Sequence, residues 1–425
     1  MHKYFLKSFG CQMNSADSEF MTNLLIARGF SAAINVQEAD VVIVNTCTVR
    51  EKAENKAIAQ IKEYAALKKK GALLWVIGCA AESGGDELYK KIPKISKVIG
   101  ATQIEFIEEK IDEYLLPLGN FEPVLQNIQS EWSALLPIAR GCDNFCTYCI
   151  VPYVRGREHS VKSAEILAQA KKMVEGGASE ITLLGQNVNS YLDKDEALDF
   201  ADLLAKVAQT PNLKRLRFMT SHPKDISRKL VEVIAKTSNI CKHIHLPVQA
   251  GNSEVLEKMN RKYTREQYLE KIAMIREIIP ACDITTDVMV GFPNETQEQF
   301  EETLSLFEEV RFLNAFMFAY SAREGTEAAK SPNQIPVKEK SARLAKLVEL
   351  QNNIVKDIYS AMVGQEFEVL FTMEQNKKGA HSWVGQDFGA KRILVDSNED
   401  LGGKIAKVKI TKSTGMTLVG ELQKP

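Results

Sequence analysis

Arg140-Gly141-Cys142-Asp143-Asn144-Phe145-Cys146-Thr147-Tyr148-Cys149 sets three thiols at C-x3-C-x2-C spacing. Steps of four and three could mark one face of a core helix. The residues between are indifferent helix formers, however, and Pro152 follows soon after. A zinc site would want a fourth ligand nearby, and the next cysteine is Cys241. A thioredoxin-like Cys146-x-x-Cys149 leaves Cys142 unexplained. Three thiolates on a short loop can also hold three irons of a cubane cluster and leave the fourth iron open to chelate a substrate amino acid.

Around this loop the chain reads as repeated βα units. Strand-like runs at 135–139, 180–184, 214–219, 243–248, 284–290 and 315–320 alternate with helical patterns such as 163–175, 200–209 and 296–310, the last opening on a Thr296/Gln299 capping box. Six units predict an open, TIM-like (βα)6 barrel with the cysteine loop after its first strand and active groups at the C-terminal strand ends. Gln186, Asn187, Ser221 beside His222, and Gln249 fall at such ends. His243 and His245 share one strand face; without a neighbouring cysteine or carboxylate in the sequence they read as a hydrogen-bonded pair rather than a metal site.

Upstream, Tyr4-Phe5-Leu6, Val41–Val44 and Leu73–Ile77 read as buried strands, with helices over 18–28 and 53–69, which predicts a doubly wound parallel sheet. Cys11, Cys47 and Cys79 each close one of these strands. Any one alone would be a small buried hydrophobe; in a parallel sheet all three would converge on one edge, where a second cluster could sit. Cys241 and Cys282 lie in or beside later strands without partners and read as buried. Residues 118–131 read as a linker. Pro332 and Pro336 lead into a charged helix to about 361, and the last 60 or so residues alternate as a small β-barrel (Phe367, Val369, Phe371; Arg392–Val395; Ile405–Ile410), with Gly402-Gly403 as a turn.

The loop, with Tyr148 before its last cysteine, resembles the radical S-adenosylmethionine superfamily. Gly10-Cys11-Gln12-Met13-Asn14, Asn45-Thr46-Cys47-Thr48-Val49-Arg50, Gly78-Cys79-Ala80-Ala81-Glu82 and Ile150–Glu158 make the whole chain similar to the methylthiotransferases, and Gln12-Met13-Asn14 is the form of the MiaB branch. The resemblance implies a methylthiotransferase domain over 1–117, a radical SAM barrel over 132–361 and a TRAM-like RNA-binding domain over 362–425. It implies two 4Fe-4S clusters, one on Cys142, Cys146 and Cys149 and one on Cys11, Cys47 and Cys79. It also implies S-adenosylmethionine, for which Tyr148 of the loop and the strand-end residues Gln186, Asn187, Ser221 and Gln249 are the natural contacts, ordinary loop capping being the alternative for the strand-end four, with no catalytic residue beyond the cluster ligands. The implied reaction adds a methylthio group to C2 of isopentenyladenosine beside the anticodon. Asn294 and His159 depart from the family, whose members commonly have Gly and Arg there.

Replacing an aromatic C–H by C–S–CH3 is beyond acid–base chemistry, because the hydrogen is not acidic and the carbon not electrophilic, so a cofactor must carry it. The expected partners are a tRNA anticodon stem-loop and an electron donor protein of flavodoxin or ferredoxin type, with a monomeric enzyme. Composition neither supports nor excludes RNA: Lys+Arg 54 against Asp+Glu 55 leaves a net charge of −1. Lys377, Lys378, Lys391, Arg392, Lys404, Lys407, Lys409 and Lys412, with Trp383 and Phe388, could touch RNA or form an ordinary solvated face. The opening residues lack a secretory apolar segment, no apolar run approaches the ~18 residues of a membrane span, and eight cysteines then suit a reducing cytoplasm. The alternatives are the same chemistry on threonylcarbamoyladenosine or a ribosomal protein aspartate, and a non-catalytic zinc- or RNA-binding protein.

Overall fold

The computed structural model describes residues 2–48, 51–119, 132–377 and 380–423, so most of the linker reading and Lys378 lie outside the described residues. The chain divides into two compact units. One comprises Met1–Ile128, Arg140–Phe145 and Cys149–His159; the other comprises Gln129–Ala139, Cys146–Tyr148 and Ser160–Pro425.

In the first unit, β1 (Lys3–Ser8), β2 (Ser31–Ala32), β3 (Val41–Thr46), β4 (Leu73–Gly78) and β5 (Lys97–Gly100) form a wholly parallel sheet in the order β2-β1-β3-β4-β5. The unbroken apolar run of β3 follows from burial on both faces. Val41 and Ile43 pack with Met21, Leu24 and Leu25 of helix α1 (Gln12–Ile26). Val42 and Val44 pack with Ile61 and Tyr64 of α2 (Glu51–Leu67) and with Leu88 of α3 (Cys79–Lys91). β1 has β2 on one side and β3 on the other, so this order has its switch point between β1 and β3, where ligand sites of such sheets form beyond the carboxyl ends.

In the second unit six parallel strands carry the larger core: β6 (Ser133–Pro137), β7 (Glu180–Leu184), β8 (Arg215–Phe218), β9 (His243–His245), β10 (Asp283–Val290) and β11 (Asn314–Ala319). They form two three-stranded ladders, joined by a bridge between Leu216 and Ile240. This is the expected open barrel. The Thr296/Gln299 capping box is formed, and Asn294 has φ 65°, a left-handed position that glycine and asparagine both tolerate. His243 Nε2 and His245 Nδ1 share the hydroxyl of Thr285 at 2.8 and 3.0 Å; Asp287, which the sequence reading did not connect to them, lies 3.5 Å from His245 Nε2.

The charged helix runs Val337–Ser360, and the C-terminal strands β12 (Glu366–Lys377), β13 (Ala380–Gln386), β14 (Arg392–Asp396), β15 (Ile405–Ser413) and β16 (Leu418–Leu422) close a barrel in the order β12-β13-β14-β16-β15. This small barrel docks on the N-terminal ends of the larger barrel's strands. Arg215 Nη1 donates to Gln386 O at 2.7 Å, Arg217 pairs with Glu180 at 2.6 Å, and Lys391 Nζ bonds Asp283 at 2.6 Å. Three of the RNA-contact candidates are thereby corrected. Lys391 is buried between Asp283 and Asp387, Trp383 is in the core, and Phe388 is half-buried beneath the Arg215 guanidinium. Arg392, Lys404, Lys407, Lys409 and Lys412 are exposed, but Lys407 and Lys409 stand opposite Glu368 and Glu366 across the sheet, so that stripe is charge-balanced.

Candidate active site

Cys11, Cys47 and Cys79 follow β1, β3 and β4, at the carboxyl edge of the sheet. Cys11 is the N-cap of α1 and Cys79 is the first residue of α3, so two thiols sit at helix N-termini. The glycines before them are required. A Cβ on Gly10 (φ 127°) would stand 2.8 Å from Cys47 Cβ, and one on Gly78 (φ 95°) would run into Asn45 Oδ1. A buried amide lattice fixes the edge. Asn14 Nδ2 donates to Asn45 Oδ1 and Thr46 O, each at 2.9 Å; Asn45 Nδ2 donates to Asn14 O at 2.8 Å; and Thr46 Oγ1 donates to Ile77 O at 2.6 Å.

Burial pushes the Cys79 thiol up to about 11; the Arg155 guanidinium pulls it down, while the Cys47 and Cys11 charges push it up. The three sulfurs therefore share one electrostatic neighbourhood. Arg155 is buried, with Nη2 3.4 Å from Asn14 Oδ1 and from Asp17 Oδ2; burial opposes its charge, but Cys79, Asp17 and Cys11 outweigh that and hold its pKa above the ordinary value. Asp17, fully buried, also pairs with Arg140 at 2.8 Å. Among the described residues no three His, Cys, Asp or Glu side chains are grouped to hold a single metal ion. A cubane presents its irons at separate corners and asks each thiolate to reach only one. A thiol triad with Cys47 and Cys79 buried and Cys11 open to solvent, beside helix ends and a guanidinium, suits that anionic group.

The loop cysteines divide between the units. In the first, Cys142 Sγ accepts from Asn144 Nδ2 at 3.4 Å and its backbone N–H donates to Gly156 O at 3.2 Å. In the second, the backbone after Cys146 is pinned by Thr147 N–H to Met259 O at 3.1 Å, and the Cys146 sulfur lies 3.4 Å from Arg261 Nη1. Arg261 is clamped by Pro247 O at 2.9 Å and Tyr263 Oη at 3.1 Å. Burial opposes its charge, but Tyr263, Tyr148 and Cys146 raise its pKa well above the ordinary value. Tyr148 packs against the barrel core.

The strand-end candidates carry buried polar atoms without protein partners: Gln186 Oε1, Asn187 Oδ1 and Ser221 Oγ, joined by both amide atoms of Asn189 and by His222 Nε2. Groups left so in a core are met by ordered water or by a polar ligand, and six such atoms on neighbouring strand ends fit a polar ligand. Asn187 Nδ2 is fixed by Asp225 at 2.7 Å. Burial, then the charges of Arg261 and Lys224, hold His222 down to about 2, so it stays neutral; its Nδ1 accepts from the Lys224 N–H at 3.2 Å, which leaves Nε2 as a donor. Gln249 differs. It is buried, with φ 70°, and its backbone bridges to Asp287 O and Met289 N, so its place in the barrel wall is structural as well. The sequence reading missed Arg155 and Arg261: neither belongs to a ligand spacing, and each is brought to its cysteine only by the fold.

The Radical SAM superfamily profile matches residues 136–307, and that of the Uncharacterized protein family UPF0004 matches residues 3–100. A tRNA-2-methylthio-N(6)-dimethylallyladenosine synthase of Desulfitobacterium hafniense (strain Y51) is 42% identical over 429 residues, covering 97% of this chain and 96% of that protein. One of Moorella thermoacetica (strain ATCC 39073 / JCM 9320) is 41% identical over 431 residues, covering 98% and 97%. The chain belongs to the tRNA-2-methylthio-N(6)-dimethylallyladenosine synthase family. Within this synthase family the UPF0004 region coincides with the sheet carrying Cys11, Cys47 and Cys79, and the radical SAM region with the loop and the larger barrel. Among solved structures, the radical S-adenosylmethionine methyltransferase TsrM from Kitasatospora setae, with cobalamin and a 4Fe-4S cluster bound, shares the fold. Its TM-score is 0.55 at 14% identity, covering 77% of this chain and 74% of that one.

Proposed function

We propose that this chain is a tRNA methylthiotransferase that adds a methylthio group to C2 of N6-dimethylallyladenosine (isopentenyladenosine) beside the anticodon, using S-adenosylmethionine and two 4Fe-4S clusters. The observation that carries the reading is the meeting of Cys11, Cys47 and Cys79 at one sheet edge in a chain that also has the radical SAM loop. The synthase names of full-length relatives point to the substrate. Cys142, Cys146 and Cys149 would hold one cluster and Cys11, Cys47 and Cys79 the other. When bound, the first supplies the electron that cleaves S-adenosylmethionine to a carbon radical, and the second supplies a place for the transferred sulfur.

The chain's own residues bind and orient. Gln186, Asn187, Ser221 and His222 turn unpaired polar atoms toward the polar groups of S-adenosylmethionine, with Tyr148 and Gln249 shaping the same end of the barrel. Arg261 and Arg155 set one cation beside a sulfur of each triad. We assign residues 1–117 to sulfur transfer, 132–361 to radical generation and 362–425 to RNA binding. An electron donor of flavodoxin or ferredoxin type would serve a monomeric, cytoplasmic enzyme; among the described residues no helix is long and apolar enough to cross a membrane.

Mass spectrometry of tRNA nucleosides from cells lacking the gene tests the reading. The expected result is loss of 2-methylthio-isopentenyladenosine with accumulation of isopentenyladenosine. An unchanged level overturns the substrate, and loss of the methylthio form of threonylcarbamoyladenosine would transfer the chain to the sister reaction.

A further inference from the structure

Resting on the reading above and deepening it, we propose that the sheet unit carries a subsite for one nucleotide of a single-stranded RNA. Arg140, Arg157 and His159 would meet its phosphate, and Phe145 with Tyr153 its base. Two observations carry this. A cavity of about 260 Å³ in this unit is walled by Glu105, Phe106, Arg140, Arg155, Arg157 and His159. Beside it, Phe145 (37% exposed) and Tyr153 (54% exposed) stand edge to face at 6.4 Å, facing water. Arg157 joins the two: it lines the cavity, and its guanidinium lies 5.1 Å from the Phe145 ring centre. Phe145 is held at φ 46°, a backbone conformation that costs a non-glycine residue free energy and is typically kept where a side chain must be presented.

The volume falls below the ~300 Å³ at which pockets for whole small molecules begin, so a phosphoribose fits inside while its base rests on the rings outside. Stacking on aromatic faces and on Arg is how proteins read unpaired bases, and a duplex offers no base to stack. The exposed ion pairs on the wall allow exchange, while Arg140 keeps its pair with buried Asp17 at 2.8 Å and lends the cavity its charge from the wall. Arg157 pairs with Asp143, an exposed carboxylate at 2.7 Å, in a surface bridge worth little; Glu105, the one carboxylate on the wall, is taken by His159 at 3.0 Å and approached by Arg140 at 3.9 Å. Arg155 forms part of the wall and also sits against Cys79, so a nucleotide held here lies one side chain from the thiol triad.

Binding of an anticodon stem-loop RNA, with a blunt RNA duplex as control, to the full-length, anaerobically purified protein tests this. Arg157→Gln is expected to weaken stem-loop binding several-fold and to lower the salt slope by about 0.7, the share of one phosphate on a single strand. Tyr153→Leu is expected to weaken it roughly fivefold or more with the slope unchanged. Iron content and melting midpoint report that both variants are folded. Wild-type affinity and slope in both variants, or equal losses on the duplex, overturn the subsite. Failure of the wild-type protein to bind the stem-loop at all would instead overturn the tRNA reading.

Discussion

Cys142, Cys146 and Cys149 lie within one loop, whereas Cys11, Cys47 and Cys79 are spread over three strand ends and meet only because β1, β3 and β4 run parallel and neighbour one another. The first triad is specified by spacing, the second by topology. A local triad has its thiols brought near one another by the chain itself. A topological one depends on every contact that keeps its strands in register, including the Asn14–Asn45–Thr46 lattice and the cramped glycines before Cys11 and Cys79.

The largest effect should come from the local triad. Cys146→Ala is expected to abolish 5′-deoxyadenosine formation from S-adenosylmethionine, measured by chromatography under reducing conditions; residual product would remove the loop from its role. Cys79→Ala should separate the two regions, losing about half the iron and all methylthiolation while retaining cleavage of S-adenosylmethionine. Methylthiolated tRNA from that variant would dissolve the distinction.

Gly78→Ala tests topology without touching a ligand. A Cβ there meets Asn45 Oδ1 and Thr46 O in a backbone region open essentially only to glycine, so a loss of roughly 2–4 kcal/mol is expected in denaturant unfolding, with iron lost first from the second cluster. The smallest effects belong to the two cations. Removing a positive charge beside a cluster disfavours its more negative, reduced form. Arg261→Gln should therefore slow cleavage of S-adenosylmethionine by ~10-fold with the second cluster's spectrum unaltered, and Arg155→Gln should perturb only the second.

The contrast also explains what the sequence could disclose. The apolar runs of β3 and β4 and the C-x3-C-x2-C loop are local patterns and could be read directly. Helix α1 begins at Gln12 rather than near Ser18, because its buried face there is polar (Asn14, Asp17, Ser18) and serves the site, which hydrophobic periodicity cannot register. Helix α3 was missed because Gly84-Gly85 interrupts it with a kink, and β5 because four residues carry too little pattern. Trp383 and Lys391 looked available for RNA because composition does not show which way a strand faces. Arg155 belongs to no ligand spacing, and its place beside Cys79 depends on residues 149–159 packing with the sheet unit, which no spacing encodes.

The central claim is that two thiol triads hold two separate clusters. Iron quantified per chain, with Mössbauer spectra, on anaerobically purified protein and on two triple variants tests it most directly. The wild type should carry about eight irons as cubanes, and replacing either Cys11, Cys47 and Cys79 or Cys142, Cys146 and Cys149 by alanine should leave about four. A wild type with about four irons, or a sheet-edge triple variant that keeps the full complement, would contradict it.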